Sequence, residues 1–213
     1  MKVSRTKVSF TSGTLELEAC FSWPMHISPC PGVILCHPHP LYGGDMDNNV
    51  IAGVGTELET AGFAVLRFNF RGVHLSEGAY GDGDGEVVDV LAALSFIRSQ
   101  PMIDAKRLFL AGYSFGAWVG LQAALRNCGL AAVAGIAPPL GVYDFEFLAG
   151  LSIPIIVVSG DRDDFCEKNK LDEMFNGLAV PKKRVVLAGC DHFYWGREGE
   201  VAAAVRAFFC LHL

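Results

Sequence analysis

Six short apolar runs separated by stretches of helical spacing constrain this chain more than any other feature. Residues 33–36, 64–68, 108–111, 131–134, 155–158 and 185–187 are nearly continuous in apolar side chains, the texture of strands covered on both faces. Between them, Val50, Ile51, Val54 and Leu58 form one helical stripe, and Val87, Val90, Leu91, Leu94 and Ile97 another. Such alternation forces parallel strands, right-handed crossovers and helices on both faces of one sheet. Ahead of the first run, residues 7–11 and 15–22 alternate polar and apolar around Ser12 and Gly13, which predicts an antiparallel hairpin at the sheet edge. The expected fold class is therefore α/β, with residues 1–213 as a single domain and no internal repeat. Residues 138–152 leave space for a turn and a short helix but not for a cap subdomain, so the site is expected to be open.

Composition narrows the function classes. About half the residues are apolar (51%), yet Pro138, Pro139, Pro154 and Arg206 break the greasiest stretches, and no run approaches the roughly 18 residues of a membrane span. The basic start at Lys2 and Arg5 has no apolar stretch behind it, so a cytoplasmic location and no membrane are expected. Seven cysteines, Cys20, Cys30, Cys36, Cys128, Cys166, Cys190 and Cys210, are odd in number and lack C-x-x-C pairs, arguing against a disulfide framework and a zinc site. Most read as small buried hydrophobes, and neither metal nor cofactor is implied. With a net charge of −6 and no basic cluster beyond Lys182, Lys183 and Arg184, the footprint of a nucleic-acid binder is missing.

The chemistry gathers at three loops. After the run ending at Ala111 comes Gly112-Tyr113-Ser114-Phe115-Gly116, followed by a small-residue segment of helical spacing. G-x-S-x-G at a strand-to-helix turn holds its serine in strained backbone, with neighbours two away kept small to avoid collision. The turn aims the hydroxyl outward, beside a base, at the positive end of a helix. The competing reading is a glycine-rich turn whose serine caps the helix. Downstream, Asp161, Asp163 and Asp164 follow one buried strand and His192 follows the last, the chain order expected of a Ser-Asp-His triad on such a sheet. Ser114 is the candidate nucleophile, His192 the base, and Asp163 the acid that holds the imidazole tautomer. Asp164 is expected to cap the next helix. His37 and His39 compete for the role of base, since both lie on the same edge, whereas His26, His74 and His212 read as surface or loop residues.

The stretch from His37 to Asn48, HPHPLYGGDMDN, together with residues 67–73, 76–78, 112–116, 160–163 and 191–193, resembles the small lidless α/β hydrolases related to the dienelactone hydrolases. The resemblance covers nearly the whole chain. It implies the α/β-hydrolase fold and a serine hydrolase acting on small esters or thioesters, with the triad carried by Ser114, Asp163 and His192. The chain departs from the dienelactone hydrolases in having serine for cysteine at the nucleophile, so a lactone substrate is not carried over. It also has His74 where relatives usually have glycine, which bears on the shape of that loop.

An oxyanion needs donors held ready. One is expected to be the Phe115 N–H. The other should come from the loop after the first parallel strand, where Pro38 and Pro40 have none to give, leaving His39, which is favoured, or Leu41. Leu41, Tyr42, Tyr113 and Phe193 are the expected pocket residues, with Phe115, Tyr194 and Trp195 as further aromatic candidates. Arg71 reads as structural rather than as a carboxylate receptor. The acidic stretch 80–86 lacks the EF-hand glycine and reads as a turn with an acidic helix start. Small-ester hydrolysis through an acyl-enzyme is the leading expectation. Thioester hydrolysis or acyl transfer would use the same residues, and a silent scaffold used for binding is the reading from another class.

Overall fold

The computed structural model describes residues 2–126 and 129–213; Cys128 lies outside the described residues. Eight strands form one sheet in the order β1-β2-β4-β3-β5-β6-β7-β8. Strands β1 (Val3–Ser12) and β2 (Leu15–Pro24) are the expected hairpin, turning at Gly13 with φ +62°, and β2 pairs antiparallel with β4 (Ala64–Phe68). From there β3 (Cys30–Cys36), β5 (Ile103–Tyr113), β6 (Leu130–Ile136), β7 (Ile155–Gly160) and β8 (Lys182–Leu187) continue parallel.

Five of the continuous apolar runs become interior strands because helices cover both faces, whereas the run 185–187, expected to be covered likewise, lies in the edge strand β8, where Val186 is 45% exposed. Helices α2 (Asp84–Arg98), α3 (Phe115–Arg126) and α4 (Lys168–Gly177) pack on one face, where Val87, Val90, Val119 and Leu171 join the larger core. Helices α1 (Asn49–Thr60) and α5 (Glu198–Cys210) cover the other, through Val50, Ile51, Val54, Val201 and Val205. Between β6 and β7 there is only a short 3-10 turn, Glu146–Gly150, and no cap.

Strand β3 lies between β4 and β5, so the chain leaves it to one side and returns on the other. Loops after β3 and β5 therefore diverge, opening the crevice that such a reversal creates at the carboxyl ends of the strands. Cys36 pairs with Gly112, which starts the two loops side by side. Of the cysteines, Cys30, Cys36, Cys166 and Cys190 are buried as expected, while Cys20 is half-buried and Cys210 exposed on the last turn of α5.

Candidate active site

Strand β5 runs straight into α3 with a single residue, Ser114, at the turn, and its φ of +56° is the left-handed geometry expected of an elbow. The flanking glycines are obligatory. A Cβ on Gly112 would lie 2.1 Å from the Gly116 carbonyl oxygen, and one on Gly116 would lie 2.2 Å from that of Cys36. The Ser114 N–H donates to the Ile136 carbonyl at 2.8 Å, pinning the turn to the end of β6.

Three side chains meet there. His192 Nε2 is 2.8 Å from Ser114 Oγ, and His192 Nδ1 is 2.9 Å from both oxygens of Asp163. Since a carboxylate only accepts, Nδ1 carries the proton and Nε2 is left to accept from the serine. The Asp163 side chain is fully buried, and its Oδ1 also accepts from the N–H groups of Phe165 and Cys166. These backbone donors replace the water lost on burial. Asp161, its rival in sequence, is exposed and accepts from Gly189 N–H at 2.7 Å, tying the β7 loop to the β8 loop. Asp164 does not cap the next helix, contrary to expectation: α4 begins only at Lys168, and Asp163 takes the early N–H groups of the intervening turn.

The two histidines of the β3 loop are not joined to Ser114. His37 is buried, with Nδ1–H donating to the Pro38 carbonyl at 2.6 Å and Nε2 accepting from Phe70 N–H at 3.0 Å. Burial pushes its pKa down to about 4, keeping it neutral. His39 packs against Tyr42, Tyr80 and Phe115 with ring centroids 4.7–5.0 Å away. Its Nδ1 accepts from Leu41 N–H. Leu41 has thereby committed its donor, while the His39 N–H has no acceptor among the described residues. Phe115 is the first residue of α3, so its N–H is one of the unpaired donors every helix start exposes.

Pocket residues divide by burial. Leu41, Tyr42 and Phe193 are exposed, as is Trp195. Tyr113, expected beside them, is only 2% exposed, its hydroxyl donating to the His192 carbonyl at 2.8 Å. It holds the His192 backbone from behind and has no surface left for a substrate; Tyr194 and the Phe115 ring are buried likewise. Arg71 is structural, gripping buried Asp89 through two nitrogens. Tyr80 and Tyr143, which sequence reasoning did not single out, come from the β4 and β6 loops and both stand against the Phe115 ring, with centroids 5.9 and 6.0 Å away. His74 adopts φ +49° and bonds Asp45 at 3.0 Å, so the loop keeps a turn that glycine would enter freely. A cleft of about 770 Å³ opens beside the site between residues 140–149 and α4. None of Ser114, Asp163 and His192 lines it, and their hydrogen-bond geometry rather than the size of the cleft marks the candidate site.

A family model described as an alpha/beta hydrolase domain matches residues 31–201. The chain belongs to the alpha/beta hydrolase family. It is 34% identical over 186 residues to an uncharacterised protein of Rickettsia prowazekii, a match covering 84% of this alpha/beta hydrolase and 78% of the relative. Among solved structures, an alpha-beta serine hydrolase homologue from Coxiella burnetii is 32% identical with a TM-score of 0.87, covering 95% of this chain and 96% of that one. A Xanthomonas campestris member of the serine hydrolases without a lid is 29% identical with a TM-score of 0.86, covering 97% and 94%. Together these make the chain a lidless alpha/beta hydrolase of esterase-like type. Among the described residues, no helix is long and apolar enough to cross a membrane.

Proposed function

We propose that this hydrolase cleaves small carboxylic esters through an acyl-enzyme, with residues 1–213 working as one unit. The observation that carries the reading is the unbroken hydrogen-bond chain Asp163–His192–Ser114, at 2.9 and 2.8 Å. As Ser114 Oγ attacks the carbonyl carbon, His192 Nε2 takes its proton, and Asp163 stabilises the imidazolium that forms. Negative charge grows on the carbonyl oxygen, facing the N–H groups of Phe115 and His39. The tetrahedral centre collapses, His192 returns the proton to the leaving alkoxide oxygen, and the alcohol departs. Water then attacks the acyl group with His192 again as base, freeing the acid and restoring Ser114. Leu41, Tyr42 and Phe193 border the substrate. The unpaired thiols of the described cysteines fit a reducing, cytoplasmic setting.

Ser114→Ala is the direct test. Turnover of p-nitrophenyl acetate should fall by about 10³-fold or more with circular dichroism unchanged, and a fluorophosphonate should label Ser114 in the parent protein. Turnover unaltered by the substitution would remove the proposal.

A further inference from the structure

The segments at the carboxyl ends of the parallel strands carry a charge that the rest of the molecule does not share. Residues 37–48, 69–83, 137–152, 161–167 and 188–197 hold eleven aspartates and glutamates, three arginines and no lysine, a net of −8 with neutral histidines. The whole chain carries −6, so everything outside this edge carries +2. Ion pairs reaching outside the edge do not alter that imbalance. Arg67 on Asp47 and Lys170 on Glu167 bring two positive charges, while Asp89 on Arg71 and Glu200 on Arg197 bring two negative ones. With Arg71 and Arg197 so engaged, Arg162 is the remaining arginine of the edge, and His74 is paired with Asp45.

The second observation is aromatic. The rings of Phe165 and Phe193 stand against the His192 imidazole at 4.7 and 5.7 Å, and both are about half exposed. Tyr42 and Trp195 are exposed still further. A cation approaching Ser114 moves down the potential of the edge and meets ring faces that attract it. A polyanion climbs the same potential and finds no group of cations to receive it.

We infer that this hydrolase selects its substrates by charge: it takes uncharged and, best of all, cationic apolar esters, and excludes polyanionic acyl donors such as nucleotide thioesters. The inference rests on the ester-hydrolase reading above and assigns its substrate class.

Three p-nitrophenyl esters with one leaving group and matched chains test it: the 4-(trimethylammonio)butanoate, its neutral isostere the 5,5-dimethylhexanoate, and the 4-sulfobutanoate. At low ionic strength kcat/KM should fall in that order, with about tenfold or more between cation and anion. In 0.5 M salt the three should converge to within about twofold, because the Debye length has shrunk to a few ångströms. The double substitution E146K/D164K, on exposed side chains outside the catalytic machinery, should shrink the cation-to-anion ratio at least about threefold and leave the neutral ester's kcat alone. Equal kcat/KM for all three esters at low salt, or preference for the anion, would overturn the inference while leaving the hydrolase intact. A neutral ester hydrolysed equally by the parent and Ser114→Ala proteins would overturn the ester reading and the inference with it.

Discussion

His37 shows how one side chain can matter at this edge without entering the chemistry. It is wholly buried, and its two nitrogens join the β3 loop, through Pro38, to Phe70 after β4. The N–H of Phe70 can only donate, so Nε2 must stay unprotonated, and desolvation holds the pKa down to about 4 against an ordinary 6.5. A folded-state pKa lowered in this way contributes stability that is fully present above about pH 6.5 and is lost as pH falls towards 4, because the unfolded chain binds a proton that the folded one refuses. Urea unfolding at pH 7 and pH 5 should therefore show a loss of about 2 kcal/mol from this residue, and His37→Gln should flatten that part of the profile. An identical pH slope in the variant would refute the assignment. Sequence could not disclose this role, since the partner lies 33 positions away and no spacing signals it. The meeting of Ser114 with His192 was legible for the opposite reason: glycine spacing and chain order are local signals of a global arrangement. Tyr113 was misplaced because a strand buried on both faces loses the alternation that tells pocket side from core side.

Between elements, the hairpin, the β4 loop and α2 are joined at Asp89, a carboxylate buried in α2. It accepts from Arg71 Nε at 3.0 Å and Nη2 at 2.7 Å, from the Arg71 backbone N–H at 3.1 Å, and from Ser12 Oγ at 2.7 Å. Removing one member of a buried ion pair strands the other, at a cost of about 3–5 kcal/mol. Arg71 keeps some contact with solvent and can partly rehydrate, so Asp89→Ala should cost about 3 kcal/mol in urea unfolding; a change below about 0.5 kcal/mol would show the junction to be dispensable. The apolar runs disclosed five interior strands and the edge strand β8, and the two stripes disclosed α1 and α2, because burial imposes its period on sequence. Helix α4 was harder to see. It is largely exposed and buries only Leu171, so little apolar period marks it, and the acids before it belong to the triad loop rather than to a cap.

At the scale of the whole molecule, the short connection between β6 and β7 decides how the site meets its substrate. A lid in this position would cover an apolar mouth in water and withdraw at an oil-water boundary, making rate jump when substrate leaves solution. Here residues 137–154 contain only the Glu146–Gly150 turn, and Leu41, Tyr42, Phe193 and Trp195 already stand in solvent. Nothing in this connection has to move aside before a substrate reaches Ser114. Hydrolysis of p-nitrophenyl butyrate should thus rise hyperbolically with dissolved substrate and pass through the solubility limit without a step, with no lag on mixing. A several-fold rise when droplets or micelles appear would mean that some segment closes over the mouth in water. The exposed rim bears on the same experiment. Apolar rings alone would favour adsorption to any oily surface, but they are set within an edge carrying −8, whose field opposes contact with anionic interfaces. Adding anionic detergent micelles should therefore leave the parent rate curve unchanged, while E146K/D164K, with the edge charge halved from −8 to −4, should begin to respond to them.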